Sequence, residues 1–316
     1  MAAPVRSSAV ASPRNRLRTW ADEARVLAAL LRGQPRHGSL AERLDAFYRP
    51  QAGQYDRFRE RLLHGRRELI ARLQVPAGGH LVELGAGTGR NLLFFVELDR
   101  AEPDRAEQGR DEQGRDEQGR DELGRDELGR DELGAGEGSR AETGQGGERL
   151  AAMGRIDLVD LCPALLAEAR RRTAGMANVR VIEADACTYR PDTPVDCVYF
   201  AYALTMIPDW RGAIDNALAM LRPGGQLGVV DFYVSAADPP AGLVRHDRFT
   251  RWFWPRWFAH DGVHPGPGPL AWLRECLPVH ELQEHRAPVP YLPGLRVPYY
   301  LFVGRKPQSS RISGGI

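Results

Sequence analysis

Apolar and polar positions along this chain follow two repeating patterns, short apolar runs and stripes with helical spacing. Five runs of strand length begin near residues 81, 155, 179, 196 and 226, and helical stripes follow three of them. Strands that alternate with helices in this way are typical of an α/β fold, in which the strands line up side by side. The pattern therefore predicts a doubly wound parallel sheet.

Two helices are predicted before the first strand. Ser39 and Glu42 have the spacing of a capping box, which indicates that a helix begins there. A second apolar stripe predicts a helix over residues 54–73, and Tyr55 lies in its first turn. These N-terminal helices precede the sheet and are expected to pack against it.

A repeat of five residues, Arg-Asp-Glu-Gln/Leu-Gly, interrupts the pattern over residues 101–134. Each glycine costs a helix about 1 kcal/mol, and almost no apolar residue is present to offset the chain entropy. We therefore predict a disordered acidic insertion over residues 100–149, which hold 9 arginines and 16 acidic residues. The insertion follows the helix that comes after the first strand and precedes the second strand. It should therefore leave from the amino edge of the sheet, remote from a ligand site.

The remaining chain divides into three parts. We predict a basic and partly disordered N-terminal extension over residues 1–38, one domain over residues 39–306, and a tail over residues 307–316. Residues 1–36 contain 7 arginines and two acidic residues. Such an arm either rests on an anionic bilayer or packs against the domain.

Composition narrows the class of protein. The 42% of hydrophobic residues suffice for a sizeable core, and no apolar run approaches the roughly 20 residues of a membrane-spanning helix. The four cysteines show no C-x-x-C pairing, so neither a zinc site nor a disulfide framework is indicated. This usage fits a reducing compartment. We expect a soluble protein of the cytoplasm.

A glycine-rich stretch after the first strand carries the first candidate chemistry. The apolar run ends in Glu83, and glycine then occupies every second position at Gly85, Gly87 and Gly89. Glycine lets the main chain turn sharply and lets a ligand approach main-chain N–H groups. Dinucleotide sites use G-x-G-x-x-G instead. The tighter spacing resembles the first motif of the class I S-adenosylmethionine-dependent methyltransferases.

Two aspartates end the next two predicted strands. Asp160 has the spacing of a ribose-binding carboxylate once about 50 inserted residues are removed, although such an aspartate can also cap a helix. The resemblance implies that Asp185 contacts the adenine amino group. It also implies a Rossmann-like sheet of seven strands, with antiparallel strands at 281–286 and 299–304. The cofactor is then S-adenosylmethionine, bound by Tyr55, Glu83, Gly85, Ala86, Gly87, Thr88, Gly89, Asp160, Leu161, Asp185, Ala186 and Ala201.

The match extends to a particular enzyme family. Residues 62–66 (Leu-Leu-His-Gly-Arg) and 202–210 (Tyr-Ala-Leu-Thr-Met-Ile-Pro-Asp-Trp) resemble the diacylglyceryl-homoserine N-methyltransferase of betaine-lipid synthesis. The resemblance implies a lipid headgroup as substrate and three successive methyl transfers to its amine. Tyr55 and Tyr202 are the candidate catalytic residues, because an oxygen acceptor must orient the amine. His260 and Tyr233 are the next candidates.

Aromatic residues and arginines interleave over residues 245–258. This pattern suits an anionic membrane surface, stacking on nucleic-acid bases, or packing over the sheet. We expect peripheral contact with the inner face of a membrane and no nucleic-acid partner. Two alternatives to the methylation of diacylglyceryl-homoserine are open. The enzyme could methylate phosphatidylethanolamine or a soluble small molecule, or the chain could be a cofactor-binding scaffold without catalysis.

Overall fold

The computed structural model describes residues 37–49, 61–100, 147–290, 292 and 294–308. These residues form a seven-stranded sheet in the order β3-β2-β1-β4-β5-β7-β6. Strands β1 to β5 pair in parallel, whereas β7 is antiparallel to both β5 and β6. The predicted α/β fold is confirmed. The strands are β1 (His80–Leu84), β2 (Arg155–Asp160), β3 (Val179–Glu183), β4 (Val195–Ala201), β5 (Leu221–Phe232), β6 (His280–Pro288) and β7 (Arg296–Arg305).

Helices cover both faces of this sheet. One of them, α3, runs from residue 92 to the edge of the described range at residue 100. Within the described ranges, no helix has the length and hydropathy needed to cross a bilayer. The other helices are α1 (Leu40–Tyr48), α2 (Arg66–Arg72), α4 (Glu148–Ala152), α5 (Pro163–Arg172), α6 (Trp210–Met220), α7 (Arg248–Ala259) and α8 (Gly268–Cys276).

The hydrophobic core has two layers, one on each face of the sheet. Strand β1 is buried along its whole length and supplies both layers. Leu81 packs with Leu69 of α2 and Phe95 of α3, whereas Val82 packs in the layer that contains Ile214 of α6. Because a strand turns successive side chains to opposite faces, an unbroken apolar run buries both faces of the sheet. This burial fixes the ends of β1, β2 and β4 at one edge.

The N-terminal helices differ in part from their prediction. The capping box of Ser39 and Glu42 is confirmed at the start of α1. The continuous helix predicted over residues 54–73 is wrong at residues 61–65, which form turns, and α2 begins only after Gly65. Gly65 has φ of 80°, a left-handed conformation that ends helical propagation. Residues 51–60, with Tyr55, lie outside the described residues.

The segment before β5 also differs. The sequence places Leu221 on the apolar side of the preceding helix, whereas α6 ends at Met220 and Leu221 pairs with Val195 of β4. Regular pairing resumes between Gln226 and Cys197. Residues 222–225, with their proline and two glycines, therefore form an irregularity inside β5. Proline cannot donate to a sheet ladder, so the register shifts there.

The third strand is shorter than predicted. It ends at Glu183, so Asp185, which was predicted to end the strand, lies in the turn that follows. The Asp185 carboxylate accepts a hydrogen bond from the main-chain N–H of Cys187 at 2.8 Å. Aspartate commonly stabilises such turns by bonding to the main chain two residues on. Asp185 is consequently held at the edge of the sheet and not within it.

The two ends of the predicted insertion meet at the amino edge of the sheet. Asp99 of α3 accepts a hydrogen bond from the main-chain N–H of Arg149 at 2.9 Å. Helix α4 begins at Glu148, within the range predicted for the insertion. Residues 101–146 lie outside the described residues, so their disorder stays a prediction. So do the boundaries of the extension, domain and tail.

Candidate functional site

A cleft lies at the carboxyl edge of the sheet, where β1, β2 and β4 end. The glycine turn forms one wall, and α1 with the segment after β4 forms the other. Nine of the twelve predicted cofactor-binding residues line this cleft. They are Gly85, Ala86, Gly87, Thr88, Asp160, Leu161, Asp185, Ala186 and Ala201. Tyr202 lines it as well.

The turn after β1 needs glycine at three positions. Gly85, Gly87 and Gly89 all have positive φ, at 78°, 55° and 67°, a region that other residues rarely adopt. A Cβ at Gly85 would also overlap the Cβ of Ala203. The spacing G-x-G-x-G thus reflects alternating left-handed residues. Gly89 packs against Leu158 behind the turn and is not part of the cleft lining.

Asp160 fixes this turn to the end of β2. Its Oδ2 atom accepts from the N–H of Gly87 and its Oδ1 atom from the N–H of Cys162, each at 2.8 Å. The carbonyl of Val159 accepts from the N–H groups of Gly85 and Ala86. These bonds orient the carboxylate at the cleft. Helix α5 has Cys162 at its N-cap without a side-chain cap, so Asp160 bonds to the cap residue and does not itself cap the helix. Its contact with a ribose stays a prediction.

Glu83 lies behind the cleft lining, fully buried. Its Oε1 atom accepts from Asn91 Nδ2 and its Oε2 atom from the Tyr199 hydroxyl, each at 2.6 Å. Burial raises the pKa of the Glu83 carboxyl to about 7, although these two hydrogen bonds and the charge of Arg66 lower it. Arg66 in turn donates to Asn91 Oδ1 at 3.3 Å. Glu83 is therefore linked to the cleft through Asn91 and Arg66, which both line it.

Tyr202 has an unusual backbone. It is the only residue other than glycine with positive φ in the part of the chain that the structure describes, at 58°. Such a conformation costs about 1–3 kcal/mol and is concentrated at functional sites. The Tyr202 hydroxyl donates to the carbonyl of His64 at 2.6 Å, and its ring contacts Phe232 at 4.6 Å between centroids. Burial, with the nearby Asp231 carboxylate, raises its pKa well above the usual value, so this phenol stays neutral.

The segment after β4 is held by a buried carboxylate. Asp231, at the end of β5, accepts from the hydroxyl and the main-chain N–H of Thr205 at 2.7 and 3.1 Å. Burial raises the pKa of Asp231 to about 6 despite these bonds. The clamp fixes residues 203–206 beside Tyr202. Tyr233 and His260, the other catalytic candidates, do not line the cleft.

Several lining residues were not predicted from the sequence. Arg66 and Asn91 bring a guanidinium and an amide to the cleft, and Leu40, Leu44 and Tyr48 of α1 bring apolar surface and a phenol. Arg66 lies within residues 62–66, which resemble the diacylglyceryl-homoserine N-methyltransferase family, so the sequence did contain a signal for this residue. The α1 residues gave only an apolar stripe, which does not reveal what it covers.

A comparison with protein families finds one domain. A family model described as a methyltransferase domain matches residues 132–225. The match spans β2 to α6 and ends inside β5, so it includes Asp160, Asp185 and Tyr202 but not the glycine turn.

Two curated relatives are named as methyltransferases. The chain is 34% identical over 108 residues to a demethylmenaquinone methyltransferase of Clavibacter sepedonicus, covering 33% of this chain and 42% of the relative. It is 32% identical over 77 residues to a trans-aconitate 2-methyltransferase of an Enterobacter species, covering 24% and 29%. The chain thus spans less than half the length of these relatives.

Solved structures share the fold at low identity. An O-methyltransferase family protein of Burkholderia thailandensis superposes with a TM-score of 0.51 at 15% identity, covering 94% of this chain and 71% of the other. The phospholethanolamine N-methyltransferase 2 of Haemonchus contortus, in complex with phosphomonomethylethanolamine and S-adenosylhomocysteine, gives 0.52 at 13%, covering 87% and 61%.

The fold, the domain match and the relatives define a class I methyltransferase domain that uses S-adenosylmethionine. The cleft fits that cofactor. Asp160 and Asp185 stand at the ends of neighbouring strands, where ribose hydroxyls and an adenine amine need acceptors. Arg66 can bind the carboxylate of the methionine part, and the glycine turn lets that part approach the main chain. The predicted enzyme class and cofactor are confirmed.

Substitution of Gly85 by alanine should weaken the binding of S-adenosylmethionine. Gly85→Ala adds left-handed strain of about 1–2 kcal/mol and an overlap with Ala203, so we expect cofactor affinity to fall at least about tenfold. Gly78→Ala is the matched control, because Gly78 has φ of 71° but no atom within 4 Å of an added Cβ. Calorimetric titration with S-adenosylmethionine checks both variants. If the Gly85→Ala variant bound S-adenosylmethionine as tightly as the Gly78→Ala control, the role of the turn would be contradicted.

The buried Glu83 predicts a pH-dependent stability. Its pKa is raised from 4.5 to about 7 in the folded protein, so its contribution is full below 4.5 and is lost as the pH rises through 7. Glu83→Gln does not titrate. The stability of wild type relative to this variant should therefore fall by roughly 2 kcal/mol between about pH 5 and about pH 8. Urea unfolding at each pH measures the two free energies of unfolding, and Glu281→Gln, an exposed position on β6, is the control. If the difference between wild type and Glu83→Gln did not change with pH, the burial argument would be contradicted.

Proposed function

We propose that the protein transfers methyl groups from S-adenosylmethionine to the amine of a lipid headgroup, that of diacylglyceryl-homoserine. The observation that carries the proposal is the composition of the cleft. Its described lining contains no histidine, lysine, glutamate or cysteine, and its two carboxylates, Asp160 and Asp185, sit at the strand ends where the cofactor fits. The rest of the described lining is mostly apolar, with the hydroxyl groups of Tyr48 and Tyr202 among its polar groups. Such a site has no strong base to offer.

An amine suits this site because it attacks with its own lone pair once it has lost its ammonium proton. A carbon or oxygen acceptor usually needs a positioned base to remove a proton during the reaction. The bound cofactor supplies an electrophilic methyl group on a sulfonium. What the chain must supply is orientation of the amine and exclusion of water.

Tyr202 can supply the orientation. Tyr202 lines the cleft, and because its hydroxyl donates to the His64 carbonyl, the phenol oxygen keeps its lone pairs as acceptors for an amine N–H. Its raised pKa excludes a phenolate at neutral pH, so it acts as a neutral acceptor and not as a base. The strained backbone and the Asp231 clamp hold this geometry before a substrate binds. Tyr55 stays a candidate for the same role from outside the described residues.

Helix α1 can supply the exclusion of water. Leu40, Leu44 and Tyr48 lie over the cleft, and the Tyr48 hydroxyl donates to Met206 Sδ at 3.3 Å. These residues bring apolar surface to the cleft. An acyl chain or a quinone ring would also find apolar contacts there, and the relatives named demethylmenaquinone methyltransferases make quinone C-methylation the second candidate.

The orientation by Tyr202 is testable with one substitution. Tyr202→Phe should lower kcat about tenfold or more, because the acceptor oxygen is lost, while the affinity for S-adenosylmethionine stays within about twofold. Tyr189→Phe is the control, since the Tyr189 hydroxyl bonds to Asp157 on β2 and not to the cleft. Steady-state kinetics and calorimetric titration separate the two quantities. An unchanged kcat would dismiss the role.

The acceptor itself is testable with purified enzyme and labelled cofactor. We expect label in the lipid fraction with diacylglyceryl-homoserine, and mass spectrometry should show addition of up to three methyl groups. Phosphatidylethanolamine and demethylmenaquinone are the competing acceptors. Methylation of demethylmenaquinone but not of diacylglyceryl-homoserine would establish the second candidate. The absence of label in diacylglyceryl-homoserine would contradict the proposal.

A further inference from the structure

Helix α7 presents two different surfaces. Thr250, Trp254 and Phe258, four residues apart, form a buried row against the domain. The residues on the opposite side are exposed although they are aromatic, with Phe249 52% exposed, Trp252 54% and Trp257 46%. Large aromatic side chains rarely stay exposed in a group without a partner.

The aromatics of this side are ordered in rows. Phe249, Phe253 and Trp257 lie on successive helical turns, and their rings stack at centroid distances of 5.2 and 5.6 Å. Phe253 is half-buried against the core and lies between the two exposed rings. The next row contains Trp252 between two arginines, and the Arg256 guanidinium lies 5.2 Å from the Trp252 ring. We call these two rows, residues 248, 249, 252, 253, 256 and 257, the aromatic face.

The charge around this face is mostly positive. Residues 244–258 hold four arginines against one aspartate, Asp247, whose carboxylate caps the start of α7. Arg245, Arg248 and Arg251 line one shallow pocket at that end of the helix together with His246 and Asp247, and Arg245 also pairs with Asp238 at 3.3 Å. Arginine beside tryptophan suits the boundary between headgroups and acyl chains, where rings enter the apolar layer and guanidinium groups meet phosphates.

The aromatic face is also near the cleft. On the buried side of α7, Phe258 stacks on Phe232 at 4.6 Å, and Phe232 contacts the Tyr202 ring at the same distance. After the helix, the N–H of His264 donates to the carbonyl of Thr205 at 2.7 Å. Whatever binds the aromatic face therefore lies on the far side of the helix that supports Tyr202.

We propose that the aromatic face of α7 binds the surface of a bilayer that contains anionic phospholipid. The rings enter the interface and the arginines bind phosphate groups. An acidic peptide would satisfy the arginines but would leave the aromatic rings in water, so the combination favours a lipid surface. The proposal concerns where the protein binds and holds whichever acceptor is methylated.

The test is sedimentation of the full-length protein with vesicles of phosphatidylcholine alone or mixed with phosphatidylglycerol. Wild type should bind the mixed vesicles, more weakly as salt rises. Two variants probe the face, one with Phe249→Ser, Trp252→Ser and Trp257→Ser, and one with Arg248→Gln and Arg256→Gln. Each should lower the partition coefficient about tenfold or more. Thermal unfolding confirms that the variants are folded, and Trp252→Ser alone serves if the triple variant is not.

Matched controls lie on other surfaces. Val279→Ser removes an exposed apolar side chain before β6, and Arg170→Gln removes an exposed charge on α5; both should bind within about twofold of wild type. Three outcomes would overturn the proposal. Wild type could stay in the supernatant with both vesicles, the face variants could bind as wild type does, or sedimentation velocity could show a dimer that the face variants dissociate. None of these readouts depends on methyl transfer.

Discussion

The site depends on the hydrogen bonds that fix the glycine turn to the end of β2. Asp160 and the carbonyl of Val159 together accept from three consecutive N–H groups, those of residues 85 to 87. The turn can adopt this shape only because its alternate residues are left-handed glycines. It brings a surface without side chains beside two strand-end carboxylates. The carboxylate that shapes the turn also lines the cleft, so the shape of the turn and the predicted ribose contact depend on one residue.

The opposite wall of the cleft is built by different means. It rests on the Asp231 clamp and on the hydrogen bond between Tyr202 and the carbonyl of His64, which joins segments 138 residues apart in the sequence. Buried carboxylates with raised pKa values, Glu83 and Asp231, stand behind the two walls. Each is satisfied by hydrogen bonds and neither lines the cleft. They hold the site's geometry from behind its walls.

The sequence predicted what depends on local spacing and missed what depends on long-range contacts. The order of strands and helices, the capping box at Ser39 and the glycine turn follow from residues within a few positions of each other. The burial of Glu83 does not, because its partners Asn91 and Tyr199 come from other elements. The stretch 62–66 marked Arg66 but not its place in the cleft, because Gly65 breaks a stripe that suggested one continuous helix. Periodicity alone also could not show that α7 buries one aromatic row and exposes another.

The central claim is that the glycine turn, Asp160 and Asp185 form one nucleoside site. The most direct measurement is a crystal structure of the protein with S-adenosylhomocysteine. The account predicts ribose hydroxyls within hydrogen-bond distance of the Asp160 carboxylate, adenine beside Asp185 and Ala186, and the amino-acid part between the turn and Arg66. A ligand bound elsewhere, or a ribose without contact to Asp160, would contradict it.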